Sequence, residues 1–375
     1  MAGIYIHIPF CKQACNYCNF HFVTSLNRKN ELLNVLLNEI RLQKNYVADE
    51  NIETIYIGGG TPSLLNKEEL QQLVNQVKNN YVITHDAEIT LEANPDDITN
   101  DVLMNWKQIG INRLSIGIQS FFEEDLLWMN RAHNARQARQ CIELAQKNGF
   151  ENITIDLIYG TPLLTDEKWK QNVETAVAYG IPHLSCYALT IEPKTPLHKM
   201  IREHKKQDID TDQQARQFLL LMDWMQAAGF EHYEISNFAK PGFRSRHNSS
   251  YWQGKKYIGI GPSAHSFNGH SRQWNISNNN IYIGSLKEEK IPFELEELTP
   301  VQQLNEYIMT SLRTSEGINI LSIKNKWGEK MAEKILSKID AFIQQNKMTK
   351  NKDHLQLTKE GKLLADGIAA DLFED

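Results

Sequence analysis

A rhythm constrains this chain more than any other feature: six strand-like runs alternating with segments of helical spacing within its first 190 residues. Ile4-Tyr5-Ile6-His7-Ile8 reads as a strand, and Leu32, Leu33, Leu36, Leu37 and Ile40 then recur at the spacing of a helix face. Thr54-Ile55-Tyr56-Ile57 is the second strand, closed by Gly58-Gly59-Gly60, and Leu70, Leu73, Val74 and Val77 mark the next helix. Ile89-Thr90-Leu91 ends at Glu92, with Val102, Leu103 and Trp106 following on a helix. Leu114-Ser115-Ile116-Gly117-Ile118 ends at Gln119, before a helical run over 135–147. A fifth strand spans 153–158, a helix 167–178 and a sixth strand 184–189. Such alternation implies an α/β protein with a parallel sheet, and right-handed crossovers leave a doubly wound sheet or a barrel. Gly and polar residues fall repeatedly just past the strand ends, where a TIM-type barrel carries its active site.

Past the sixth strand the pattern loosens. A helix is expected over 212–228, ended by Gly229, and then a stretch rich in aromatics, His, Gly and Asn over 230–274. From 299 onward helices dominate, with a strand-like Leu355-Gln356-Leu357 before a last helix, an order that resembles a winged-helix module. The expected organisation is a βα region over 1–230, an irregular aromatic and His-rich region over 231–298, and a helical domain over 299–375. Charge narrows the partners. Lys+Arg number 40 against 46 Asp+Glu, a net of −6, and 320–375 holds ten Lys, no Arg and nine carboxylates. Neither balance supplies the basic surface that binding to phosphates needs, so no nucleic-acid partner is expected. No apolar stretch nears the roughly 18 residues of a membrane span. The first residues carry neither a basic stretch nor the apolar run of a secretory signal, so a cytoplasmic protein is expected.

Three of the five cysteines fall within eight residues, as Cys11-x3-Cys15-x2-Cys18, directly after the first strand. An odd, clustered set is not a secreted disulfide scaffold. Cys141, in a helical stretch, and Cys186, in an apolar strand, read as small buried hydrophobes. Three thiolates on one loop can wrap a soft metal centre. A four-iron cluster takes four Cys, so three would leave one iron open to an outside ligand. On spacing alone a Cys3His zinc site completed by His21 stays open, as do unligated thiols.

Cys-x3-Cys-x2-Cys after the first strand of a βα array resembles the signature loop of the radical S-adenosylmethionine (SAM) superfamily. Three further runs narrow the likeness: Tyr5-Ile6-His7-Ile8-Pro9-Phe10-Cys11, Gly58-Gly59-Gly60-Thr61-Pro62-Ser63 and Glu92-Ala93-Asn94-Pro95. They resemble the branch of oxygen-independent coproporphyrinogen III oxidase (HemN) and the heme chaperone HemW, from Tyr5 to about Phe267. The resemblance implies a partial TIM-type (β/α)6 barrel, a [4Fe-4S] cluster on Cys11, Cys15 and Cys18, and SAM at the open iron. It sets Gly59, Gly60 and Thr61 against the amino acid end of SAM, a close approach that Gly permits. Glu92, Gln119, Arg131 and Asp156 fall on SAM contacts of the family. Glu92 suits a cationic amine or sulfonium, Arg131 an anionic group, and Asp156 ribose hydroxyls. Tyr5, Tyr17 and Ala188 match supporting positions, and His265 aligns near a SAM contact.

Two features separate the branches. The oxidase pattern continues Cys-x2-Cys-x-Cys where this chain has Phe20, and it carries an N-terminal arm where this chain starts almost on its strand. Both resemble HemW. The run Arg246-His247-Asn248-Ser249-Ser250-Tyr251-Trp252 fits the His-Asn-x-x-Tyr-Trp motif associated with heme binding in that family. It implies heme at His247, Asn248, Tyr251 and Trp252, because imidazole ligates heme iron and flat aromatic faces suit a porphyrin. A plain loop whose aromatics pack on the barrel is the alternative. The function implied is a heme chaperone that passes heme to an acceptor protein, with a reduced flavodoxin- or ferredoxin-type protein as electron donor. Two rivals stand beside it: a radical decarboxylase of coproporphyrinogen III, and a zinc-stabilised interaction protein.

Overall fold

Strands β1 (Ala2–Ile8), β2 (Ile52–Gly59), β3 (Ile83–Ala93), β4 (Arg113–Gln119), β5 (Ile153–Tyr159) and β6 (His183–Ala188) lie side by side in chain order. Each pairs in parallel with the next in the computed structural model, which describes residues 2–47 and 50–374. Ile4, Ile6 and Ile8 of β1 and Ile55 and Ile57 of β2 are fully buried, as strands covered on both sides require. Helices cover the sheet through Leu32, Leu36 and Ile40, then Leu70, Leu73 and Val77, then Leu103 and Trp106, all in the same core. Their starts are written locally. Asn66 and Glu69 form a capping box, as do Asn134 and Gln137, each satisfying otherwise orphaned backbone N–H groups.

The sheet continues past both ends of this array. Strands β7 (Glu231–Glu234) and β8 (Asn237–Ala239) extend it, β8 pairing antiparallel with β6 and β7 antiparallel with β8. Strand β9 (Lys256–Ile260) pairs in parallel with β1, followed by β10 (His265–Phe267), β11 (Ser271–Asn275) and β12 (Phe293–Glu297), all antiparallel. The result is one open sheet of twelve strands, and among the described residues no pairing closes it into a barrel. Residues 231–298, which read as irregular in the sequence, thus carry six strands of three to five residues. Runs this short hold too few alternations to reveal a period of two. Ile258, Ile260, Tyr282, Ile283 and Leu286 of this stretch join the same core as β1–β6.

A second core occupies 304–372, with Leu304, Ile308, Ile335 and Leu355 fully buried. Here the helices Pro300–Leu312, Ile320–Trp327 and Glu329–Gln344 pack on a small sheet of β13 (Ile318–Asn319), β14 (Met348–Asn351) and β15 (His354–Leu357), in the order β13-β15-β14. This is the helix–helix–hairpin–helix order expected of a winged-helix-like domain. It is stitched to the larger sheet: Ile235 N–H donates to the Arg313 carbonyl at 2.9 Å, and Ser315 N–H to that of Tyr233 at 3.0 Å.

Candidate functional site

The loop after β1 carries Cys11, Cys15 and Cys18, all half-buried thiols. Its backbone is pinned from several elements. Cys11 N–H donates to the Val23 carbonyl at 3.1 Å, and Asn16 N–H to that of Met129 at 3.1 Å. The Asn130 side chain donates to the Ala14 carbonyl at 2.8 Å. Arg131 reaches the same loop, with one amine 3.3 Å from Cys15 Sγ and the other donating to Asn94 Oδ1 at 2.8 Å and the Gly117 carbonyl at 3.0 Å. Burial pushes the Cys11 thiol up to about 11, opposed by a hydrogen bond from Thr61, and raises that of Cys18. Metal binding at this loop would displace protons. His21 stands apart from the thiols, its Nε2 bonded to Asn279 at 2.7 Å. Among the described residues no three His, Cys, Asp or Glu side chains are gathered closely enough for a single ion.

Of the remaining residues singled out in the sequence, the glycine turn, Glu92, Gln119 and Ala188 lie at the carboxyl ends of parallel strands, and Asp156 sits mid-strand. At the end of β2, Gly59 has φ +108°, and a Cβ on Gly60 would stand 2.6 Å from the Phe10 carbonyl oxygen, so this turn presses against the cysteine loop only as glycine. Glu92, near the end of β3, accepts from the Tyr56 hydroxyl at 2.7 Å and from Gly59 N–H at 3.0 Å. Burial raises its carboxyl above the ordinary range. Asp156 on β5 is pushed up to about 7, by burial first and then by the charge of Glu92. Gln119 closes β4 with φ +64°, a left-handed conformation that is uncommon outside Gly and Asn. Ala188 closes β6. Two carboxylates whose charges oppose each other favour a cationic ligand, which would let both ionise.

The motif at 247–252 forms the helix Arg246–Trp252. Glu88 of β3 anchors its start, accepting from Arg246 N–H at 3.1 Å and His247 N–H at 3.0 Å. The His247 ring is buried. Its Nδ1 meets Thr54 Oγ1 at 2.8 Å and its Nε2 meets the Tyr251 hydroxyl at 2.8 Å, so neither nitrogen is open. Burial, with the nearby Arg113 charge, lowers its pKa to about 3 and keeps it neutral. Asn248 is half-buried on the same helix. Trp252 lies 5.0 Å under the Arg313 guanidinium, and its buried indole N–H has no partner among the described residues.

Between this helix and the C-terminal domain opens a cavity of about 1030 Å³. Phe20 of the cysteine loop, Tyr251 and Trp252 of the helix and His265 of β10 line it on one side, and Tyr307 and Trp327 of the C-terminal domain on the other. It stands at the upper end of the ~300–1,000 Å³ usual for small-molecule sites. Tyr5 also lines it, whereas Glu92, Gln119, Arg131 and Asp156 do not. The two residue groups thus form neighbouring sites. Their shared partition includes His7, whose Nε2–H donates to the His21 carbonyl at 2.9 Å and leaves Nδ1 to accept from the Tyr5 hydroxyl at 3.0 Å. Tyr56, Arg272, Tyr307 and Trp327 escaped the sequence reading, since none belongs to a local motif and only the fold brings them here.

Residues 5–176 match the radical SAM superfamily and residues 298–364 the HemN C-terminal domain. A Bacillus subtilis protein named heme chaperone HemW is 33% identical, over 98% of this chain and 98% of its own length. A protein of that name from Mycobacterium tuberculosis is 32% identical, over 99% and 94%. That of Escherichia coli is 38% identical, over 70% and 69%. The fold matches that of Escherichia coli coproporphyrinogen III oxidase (HemN) with a TM-score of 0.86 and 23% identity, covering 99% of this chain and 90% of the other.

Proposed function

We propose, from the premise that the chain belongs to the radical SAM superfamily and to its heme chaperone HemW family, that it binds heme and passes it to an acceptor protein. The observation that carries this reading is the aromatic cavity of about 1030 Å³ walled by Tyr251 and Trp252 of the heme-associated motif, which opens beside the cysteine loop at Phe20. Indole and phenol faces of this kind suit a flat apolar macrocycle.

In the same reading Cys11, Cys15 and Cys18 hold a [4Fe-4S] cluster with one iron left open, and SAM takes that position. The donor set fits. The thiols share one pinned loop, Arg131 stands beside Cys15, and the glycine turn at Gly59 and Gly60 lets the chain pass close to that loop next to Thr61. Held there, such a cluster would supply one-electron reduction of the SAM sulfonium. Glu92 and Asp156 would face that cation, Gln119 and Ala188 would border it, and Tyr5 and Tyr17 would support it. A reduced flavodoxin- or ferredoxin-type protein would be the electron donor. Among the described residues no helix is long and apolar enough to cross a membrane, and we place the protein in the cytoplasm.

The test is anaerobic reconstitution with iron and sulfide, then titration with heme and a coproporphyrinogen turnover assay on the same sample. Cluster plus stoichiometric heme without turnover supports the chaperone. Turnover to protoporphyrinogen would make the chain an oxidase, and failure to bind heme would overturn the reading. His247→Ala should weaken heme binding and leave the cluster in place, because the imidazole holds the Tyr251 hydroxyl at the cavity wall.

A further inference from the structure

Four histidines line the cavity, and their hydrogen bonds sort them. His7 has both ring nitrogens engaged, with Tyr5 and the His21 carbonyl. His354 does too, with the Glu316 carbonyl and Asn319. His21 gives one nitrogen to Asn279. The ring of His265 makes no side-chain hydrogen bond among the described residues, and it is solvent-exposed on the cavity wall. Outside the lining, His247 is buried behind Tyr251 with both nitrogens occupied.

Resting on the heme reading above, we infer that His265, not His247, is the protein ligand to heme iron, and that Arg272 receives a propionate of the same macrocycle. The β10–β11 hairpin makes the pair. His265 lies opposite Trp274 and Phe267 opposite Arg272, so all four side chains stand on one face, with His265 and Arg272 on the diagonal. Trp274 stacks on the His265 ring at 5.9 Å between centroids, which fixes the imidazole plane. Phe267 and Tyr257, 6.3 Å apart, continue that wall as an apolar surface toward Tyr251.

Arg272 shows the mark of an unmet partner. One amine pairs with Glu306 of the C-terminal domain at 2.9 Å, yet its Nε is buried and unpartnered among the described residues. Arg244 and Lys326 also face the cavity, against the carboxylates Glu306 and Glu316. Arg244 is already bonded to Glu231 and Glu316. A carboxylate meeting Arg272 would add a charge-assisted hydrogen bond where the guanidinium has capacity left. His247 then acts as a positioning residue that holds Tyr251.

The experiment is ferric heme titration of the full chain by absorbance and electron paramagnetic resonance, for wild type, His265→Ala, His247→Ala and Arg272→Gln. The inference expects His265→Ala to move the Soret band and the spin state, with free imidazole restoring both. His247→Ala should weaken binding and keep the wild-type spectrum. Arg272→Gln should weaken heme about tenfold, the scale of one hydrogen bond to a charged group, and leave the affinity for heme dimethyl ester unchanged. A wild-type spectrum in His265→Ala overturns the ligand assignment while the heme reading stands. A spectral change confined to His247→Ala returns ligation to that residue. Wild-type protein that takes up no heme overturns the heme reading itself.

Discussion

The ring of Tyr56 stacks on that of His247, with centroids 5.1 Å apart and planes 25° from parallel, while the Tyr56 hydroxyl donates to Glu92 at 2.7 Å. One side chain of β2 therefore touches both the proposed SAM site and the heme-associated helix. Removing only the hydroxyl separates these roles. Tyr56→Phe keeps the stack and strips Glu92 of a donor, which raises its already elevated carboxyl further. SAM affinity should fall about tenfold, with heme affinity within about twofold of wild type. Calorimetric titration with SAM checks this, and an unchanged SAM affinity would remove Glu92 from the site.

Asp156 predicts a pH dependence whose sign is fixed. The folded chain holds that proton to about pH 7, whereas an unfolded chain releases it near pH ~4. Between those values the folded state binds more protons, so stability falls as pH rises through the window and levels off above it. Wild type should lose up to ~4 kcal/mol from this group between pH 4 and pH 8, and Asp156→Asn should lack that part of the slope. SAM binding should tighten from pH 6 to pH 8 as the carboxylate ionises against a cation. Urea titrations at several pH values decide the first point, and parallel slopes in the two proteins would refute it.

The cysteine loop gives the simplest chemical test. Cys15→Ala should abolish bound iron, sulfide and the brown colour after reconstitution. Cys141→Ala should retain them, since Cys141 is buried in the helix core and donates its thiol to the Ala138 carbonyl. Metal analysis that finds zinc and no iron in wild type would instead favour the interaction-protein rival.

Where the sequence was legible, period and motif made it so. The helix expected over 167–178 is Asp166–Ala178, and the sixth strand, read over 184–189, is His183–Ala188, because each apolar face repeats often enough to fix its phase. The cysteines, the glycine turn and Glu92 are readable as short words at strand ends, and the 247–252 run as a contiguous motif. What stayed hidden is long-range. Nothing local to 256–260 says that it pairs beside residues 2–6, and Thr54 and His247 meet across 193 positions. Likewise Tyr307 and Trp327 become cavity wall only when two cores dock, an event that leaves no periodicity behind.

That docking supplies the last prediction. Arg313 of the C-terminal domain donates through Nε at 3.0 Å and Nη2 at 2.8 Å to one oxygen of Glu234, which is 1% exposed. The other oxygen accepts from Ser236 N–H and the Asn237 amide. The same guanidinium covers Trp252 at 5.0 Å. Arg313→Leu would leave Glu234 buried without its cation, costing about 2–3 kcal/mol, less than a fully buried pair because Arg313 is partly exposed. The C-terminal domain should then be cut faster by protease than in wild type, and heme should bind more weakly as Trp252 loses its cover. Adding Glu234→Gln should recover the stability, since no buried charge remains, but not the heme affinity, since Trp252 stays uncovered. If the double variant regained both, the guanidinium would matter only as a counter-charge, and the cavity wall would not depend on it.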